Sequence, residues 1–445
     1  MAGMVELSQM LEARDRRAQR QRELLEQYRL PMVSFTLNIA GPVKNSPLIR
    51  RGFRLGRELL LGQLARIKAP VLFREETDED TGLEGLYVVN AAPETLKTVA
   101  CDIEDRTALG RLLDLDVLTP DGVKLDRSVP RRCLICGKPA KECGRNRSHT
   151  VRQLQKKTHD ILEDAIETCD AETAASLAVR ALLYEVCTTP KPGLVDRSNS
   201  GSHRDMDIFT FMSSASALWP YFAQCVRIGR RTAARPASET LAALRWPGKQ
   251  AEGAMLSATG GVNTHKGAIF SMGLACAALG RMDREAWGRP EAVLAQVASM
   301  AAGTVEQELD RLTEGATAGQ RFYLLYGVTG IRGEAEAGFP SVLKYGLPVL
   351  ENGLAQGRSV DEAGAAAMLA LLAHTDDTNM LARGGIELSG QKAGQLRTLL
   401  AGNPYPDKAA LQALDEEYIG ANLSPGGSAD LLALCYLLHS LKEAA

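Results

Sequence analysis

The sequence predicts two domains of different class: an α/β or α+β first half, followed by an all-α helical bundle. Three observations carry this reading. Composition shifts near residue 150, with strand-like and helical runs mixed before it and Ala- and Leu-rich helical patterns beyond it. The 445 residues exceed a single small core, since domains run to roughly 100 to 200 residues. Five polar stretches, rich in glycine, charge and hydroxyls, interrupt the later helical patterns, and polar loops held by rigid helices are where sites are built.

Apolar content of 45% and charged content of 24% are ordinary for a globular protein, and a formal charge of −2 leaves no footprint for nucleic acid. No window approaches the roughly 20 apolar residues of a membrane span, and residues 1–30 hold no apolar stretch of signal-peptide length. A cytoplasmic protein without a membrane partner is therefore expected. Nine cysteines, an odd number over a long chain, suit reduced thiols better than a disulfide framework.

In chain order, residues 33–37, 86–91 and 112–118 read as strands and 57–67 as helix. In the third strand Leu113, Leu115 and Val117 alternate with Asp114 and Asp116, which puts both carboxylates on one face. Such a pair can share a Mg²⁺ held against a triphosphate; a solvated strand face gives the same pattern. Next comes Cys133-x2-Cys136-x6-Cys143-x5-His149. Three thiols and an imidazole suit a closed tetrahedral Zn²⁺ site, although only the opening Cys-x2-Cys has a standard spacing. Beside Arg131, Arg132, Arg145 and Arg147, the alternative is free thiols in a basic segment that touches phosphate or an acidic carrier protein.

The domain boundary is expected within 150–170, giving domains 1–160 and 161–445. Beyond it, helices are expected at 154–187, 208–228, 268–278, 292–312, 360–373 and 429–441. Ser359 with Glu362 forms a capping box, and Ser428 after two glycines reads as a further cap. The five polar stretches are 191–207, 261–267, 332–338, 376–383 and 426–430. They hold cations (Lys191, Arg197, Lys266, Arg332, Arg383), acids (Asp196, Asp205, Asp207, Glu334, Asp376, Asp377, Asp430), amides (Asn199, Asn263, Asn379) and two histidines, His203 and His265. If they converge, cations and the helix start Gly426-Gly427-Ser428 cradle phosphates while carboxylates hold Mg²⁺. The plainer reading makes Asp205, Ser202 and Ser428 helix caps, the histidines surface groups and the glycines turns. Five stretches with one mixture of residue types favour a site.

Lys191-Pro-Gly-Leu-Val-Asp-Arg-x-Asn-Ser-Gly-x-His-x-Asp-Met-Asp207, Gly261-Val-Asn-Thr-His-Lys-Gly267, Arg332-Gly-Glu-Ala, Asp377-Thr-Asn and Gly426-Gly-Ser-Ala-Asp430 together resemble the triphosphoribosyl-dephospho-coenzyme A synthase family over residues 170–445. The resemblance implies that a ribose 2′-hydroxyl of 3′-dephospho-coenzyme A attacks C1′ of the ATP ribose and expels adenine, the triphosphate being retained. Oxocarbenium-like charge then calls for a carboxylate, a base and a proton source, for which His203, Asp205, Asp207 and His265 are the candidates. Lys191, Arg197, Asn199, Asn263, Lys266, Arg332 and Arg383 would face phosphate and ribose; Asp376, Asp377, Glu334 and Asp430 would hold Mg²⁺.

In the first half, Val33-Ser-Phe-Thr, Gly41-Pro-Val-Lys44, Arg50-Arg51, Gly110-Arg-Leu-x-Asp-x-Asp-Val-Leu-Thr-Pro-Asp-Gly122 and Arg131-Arg-Cys-Leu-x-Cys136 resemble the citrate lyase holo-acyl-carrier-protein synthase family over residues 8–160. This implies transfer of the phosphoribosyl-dephospho-coenzyme A group to a serine of the lyase's acyl carrier (gamma) subunit, with release of diphosphate. Lys44, Arg50 and Arg51 would face the phosphates, and Asp114 and Asp116 would be catalytic metal ligands in a nucleotidyltransferase-like fold. The Gly-Ser pair that usually precedes such acids is absent. Two rivals keep much of this chemistry: a nucleotide N-glycosidic hydrolase, in which water attacks C1′, and a non-catalytic zinc-bearing assembly factor for a carrier protein.

Overall fold

In the computed structural model, which describes residues 4–306, 309 and 318–444, the chain divides into two units, Met1–Thr168 and Cys169–Ala445. The first contains α1 (Leu7–Tyr28), β1 (Met32–Leu37), α2 (Pro47–Arg66), β2 (Val71–Glu79), β3 (Gly82–Val89), α3 (Pro93–Arg106), β4 (Leu113–Leu118) and α4 (Ala140–Arg145). The division falls inside α5 (Val151–Cys187). Strand order is β2-β3-β1-β4 with every pairing antiparallel, so this unit is α+β rather than α/β.

The period-two pattern decides the faces of the sheet. Val33, Phe35, Leu115 and Val117 are buried, with Phe35 stacked on Phe53 of α2 at 4.4 Å. The opposite face carries Met32, Leu86 and Val88 under Leu24 and Leu25 of α1, and further along Asp114 and Asp116, paired across to Thr36 and Ser34. Both carboxylates do share a face, as the alternation required. Helix α2 starts where Ser46 accepts from the Ile49 N–H at 3.3 Å with Pro47 in the first turn.

β4 is an edge strand, and its open edge is covered. Glu104 of α3 accepts from the Leu115 N–H at 2.7 Å, and Arg131 donates to the Leu113 carbonyl at 2.8 Å. The segment after β4 is thereby laid along the sheet edge.

The second unit shows no strand among its described residues. It runs α6 (Ile208–Ala217), α7 (Trp219–Thr232), α8 (Ala237–Ala258), α9 (Lys266–Arg281), α10 (Pro290–Ala301), α11 (Ala318–Tyr326), α12 (Gly330–Glu336), α13 (Leu347–Ala355), α14 (Val360–His374), α15 (Thr378–Gly402), α16 (Lys408–Gly420) and α17 (Gly426–Ala444). Helices α9, α14 and α17 are apolar on nearly every side and are correspondingly buried all round. The Ser359–Glu362 capping box is present on α14.

Four expectations need correction. The stretch 208–228 is two helices that meet at Leu218, because Pro220 has no N–H to continue the first. Helix α10 stops at Ala301, and part of the expected run to 312 lies outside the described residues. Ser428 is not a cap: α17 already starts at Gly426. The polar stretches at 332–338, 376–383 and 426–430 are not loops but lie largely in α12 and in the first turns of α15 and α17.

Candidate functional site

A cavity of about 700 Å³ in the second unit gathers much of the expected inventory. The first turns of α9, α15 and α17 open onto it, and with them come Lys266, Asp376, Asp377, Asn379, Arg383, Gly426, Gly427 and Asp430. Lys191, His203, Asn263, His265 and Glu334 line it as well. Arg197, Asn199, Asp205, Asp207, Arg332 and Ser428 do not.

Partners explain the difference for most of the residues outside. Arg197 pairs with Asp361, and Asn199 donates to Asp415 at 2.8 Å. Asp207 caps α6, accepting from the Thr210 N–H at 2.9 Å and its hydroxyl at 2.7 Å; the cap role considered for Asp205 belongs to it. Asp205 is exposed, 3.8 Å from Nδ1 of His203. Asp196 folds the loop 191–207 by accepting from the N–H groups of Lys191, Ser198 and Asn199. Gly193 holds the same loop against α16 at φ +71, where a Cβ would meet the Leu423 carbonyl at 2.2 Å.

The acids separate by how many donors each already holds. Asp377 is full: one oxygen accepts from the N–H groups of Asn379 (2.9 Å) and Met380 (3.1 Å), the other from the N–H (2.7 Å) and hydroxyl (3.0 Å) of Ser428. It caps α15 and reaches the first turn of α17 with one carboxylate. Glu334 is held by the N–H and hydroxyl of Ser341. Asp430 is different. It is part-buried, its carboxylate packed against the start of α9, where a Cβ on Gly267 would lie 2.0 Å from its Oδ2, and its one backbone donor is Ala268. Burial, reinforced by Glu185 and Asp377, pushes the Asp430 carboxyl far above the usual carboxylate range. A cation in the cavity would reverse that shift.

His265 is buried, and its protonation pattern can be read from its neighbours. Thr264 donates to the Ser214 hydroxyl at 2.7 Å, so Ser214 uses its own proton on Nδ1 of His265, also at 2.7 Å. With Ser214 donating to Nδ1 the hydrogen sits on the other ring nitrogen, Nε2, which is buried and has no protein partner. Burial, with Lys191 nearby, lowers the His265 pKa to about 3. His203 bonds Ser424 at 2.8 Å through Nε2, and burial followed by Arg383 lowers its pKa.

Two features of this cavity were not anticipated. Glu185 of α5 lines it, buried and ion-paired to Lys191, which is itself 1% exposed. The available signal was a lone carboxylate within Ala-Leu-Leu-Tyr-Glu-Val-Cys187, an apolar run. The Thr264–Ser214 relay gives no sequence signal, since its members are 50 residues apart.

In the first unit Asp116 pairs with Lys124 at 2.5 Å, and Asp114 lies 3.5 Å from Arg131. Lys44 donates to the Ile39 carbonyl at 2.5 Å and Arg50 to Asn45 at 3.1 Å; Arg51 lies beside Arg50 on α2. Burial and Arg14 hold the Lys44 ammonium below its ordinary pKa. The ligand atoms of Cys133, Cys136, Cys143 and His149 all lie within 4.8 Å of one another, the one grouping among the described residues with three or more metal-binding side chains so close. Nε2 of His149 is buried with no hydrogen-bond partner. No described helix is long and apolar enough to cross a membrane.

Comparison with known proteins returns both halves. Residues 171–445 match a family model described as CitG: ATP:dephospho-CoA triphosphoribosyl transferase, and residues 5–165 one described as CitX: apo-citrate lyase phosphoribosyl-dephospho-CoA transferase. A protein named CitXG from Haemophilus influenzae is 35% identical, the match covering 98% of this chain and 97% of that one. A CitXG protein from Leuconostoc mesenteroides subsp. cremoris is 32% identical over the same shares. A 2-(5''-triphosphoribosyl)-3'-dephosphocoenzyme-A synthase from Pectobacterium atrosepticum is 45% identical over 58% of this chain and 86% of its own length.

Proposed function

The chain belongs to the family of fused CitX–CitG proteins, and from that premise we propose how its residues divide the synthesis and attachment of the citrate lyase prosthetic group. The chain is a bifunctional transferase. Its second unit joins ATP to dephospho-coenzyme A, and its first passes the product to the apo-lyase. The observation that carries the division of roles is the donor count on the acids that line the cavity.

In the second unit a ribose 2′-hydroxyl oxygen bonds to C1′ of ATP while the C1′–N9 bond breaks, its electron pair leaving on adenine, which takes up in net terms the proton that the hydroxyl loses. Asp430 and Asp376 would hold a Mg²⁺, because both line the cavity and neither carries the full set of donors that occupies Asp377; the ion would neutralise charge on the triphosphate. Lys266 and Arg383 complete the phosphate side, Lys266 now resting 3.0 Å from Glu252. Asp377 positions rather than ligates. The Nε2–H of His265 donates a hydrogen bond to the bound substrate, a role that needs a neutral ring.

In the first unit Asp114 and Asp116 would hold a divalent metal, which would supply charge neutralisation for transfer to a serine of the carrier subunit. The nucleotidyltransferase-like reading rests on these two acids sharing one strand face. Cys133, Cys136, Cys143 and His149 fit Zn²⁺: ligand atoms of a tetrahedral site lie about 3.8 Å apart, and the orphaned His149 nitrogen gains a partner. This Zn²⁺ would fix the segment that covers the edge of β4. Purified protein should then carry close to one zinc per chain, and a content near zero would remove the idea.

Incubation with ATP, Mg²⁺ and dephospho-coenzyme A tests the principal reading. Adenine should appear only with dephospho-coenzyme A, together with a coupled product detected by mass. Adenine release from ATP alone would favour the hydrolase instead.

A further inference from the structure

The first unit holds a cavity of about 580 Å³ at the outer edge of β4, lined by five arginines against two carboxylates. Glu104 and Asp105 are the carboxylates, and they pair with Arg127 and Arg131. Glu104 is 2% exposed, so it anchors those two guanidiniums from inside the fold. The other three, Arg111, Arg132 and Arg147, have no carboxylate partner. Arg111 instead donates to the Arg132 carbonyl at 2.5 Å, which places it beside the segment that carries Arg132. Cys133, Cys143 and His149 form part of the wall, so the clustered ligand set positions Arg132 on one side and Arg147 on another.

Three guanidiniums without a carboxylate partner around one open, solvent-accessible cavity suit a compact polyanion, because planar forks bond phosphate oxygens in pairs. The cavity is also in the right place. Arg131 lies both in its wall and 3.5 Å from Asp114, so an anion seated there adjoins the acid pair. Lys44, Arg50 and Arg51 do not line it.

We propose that this cavity is the diphosphate site of the first unit, holding the two terminal phosphates of the triphosphoribosyl substrate beside Asp114. The proposal rests on reading that unit as the transferase. As the serine hydroxyl oxygen bonds to the α-phosphorus, the bond from that phosphorus to the bridging oxygen breaks. The electron pair leaves on diphosphate, the serine proton passes to water, and the arginines receive the charge that develops.

Phenylglyoxal labelling of arginines in the full wild-type chain, mapped by mass spectrometry with and without inorganic diphosphate, tests the site without any variant. Diphosphate should slow labelling of Arg132 and Arg147 by about tenfold and leave Arg145, exposed on the same segment and outside the cavity, unaffected. Equal labelling with and without diphosphate, or protection by the apo-carrier alone, overturns the proposal. A second arm measures inhibition of carrier modification by diphosphate. The double variant Arg132→Ala, Arg147→Ala should need about ten times more diphosphate for the same inhibition, with Arg→Lys replacements intermediate; unchanged inhibition again overturns it. A wild-type chain that fails to modify the carrier, yet shows diphosphate protection, would sink the transferase reading rather than the anion site.

Discussion

Asp377 in the helical unit and Glu104 in the sheet unit are both buried acids, yet the groups they hold have opposite character. Asp377 gathers backbone N–H groups from the first turns of two helices. Glu104 gathers a strand N–H and two arginines. In the helical unit the groups left over for chemistry are acids such as Asp430, which wait for a cation. In the sheet unit they are the guanidiniums of Arg111, Arg132 and Arg147, which wait for an anion. Helix ends supply donors from the backbone and so leave carboxylates to be displayed; a sheet edge offers few free donors, and cationic side chains must supply them.

The sharpest way to break this contrast is a pair of substitutions. Asp430→Asn should cut adenine release by about a hundredfold or more and spare carrier modification, and Asp114→Asn should do the reverse. Equal loss of both activities in either variant would contradict two separate sites. Next in size is Asp377→Ala, which leaves three N–H groups and a hydroxyl without their acceptor. Denaturant unfolding of the second unit should show a loss of about 3 kcal/mol. A loss below about 1 kcal/mol would mean that water replaces the carboxylate and that it is no anchor.

Removing metal addresses the sheet unit alone. If zinc fixes the wall, a chelator should reduce carrier modification and leave adenine release intact once Mg²⁺ is restored. The smallest effect concerns pH. Unfolded His265 takes up a proton below its ordinary value of 6.5, whereas folded His265 waits until about 3. The folded state therefore binds fewer protons in that window, so stability contributed by this group is full above pH 6.5 and declines as pH falls towards 3. Between pH 7 and pH 5 the melting temperature of His265→Gln should fall less steeply than that of the wild type, and parallel slopes would count against the buried neutral ring.

Periodicity made part of this legible. Alternation in 112–118 placed Asp114 and Asp116 together, and the all-round apolar character of α9, α14 and α17 is what buries them. Helix α1 was not anticipated because its contact face offers little beyond Leu24 and Leu25 in a strongly charged sequence. The site was legible as an inventory but not as roles. Asp376, Asp377 and Asp430 are equivalent letters, and only the count of donors around each carboxylate separates a cap from a ligand candidate. Likewise the arginines near Cys133 were visible as a basic segment, but their distribution into anchored and unanchored groups depends on Glu104, which is 27 residues before Arg131 in the chain.

Asp377 also ties together parts of the chain that are distant in sequence. The N–H groups of Asn379 and Ser428 share its carboxylate, so the beginnings of α15 and α17 cannot loosen one at a time without stranding the other's acceptor. In hydrogen exchange these amides should behave as members of one opening unit, although 49 positions separate them in the chain. The cavity they border is thus assembled or lost in a single cooperative event.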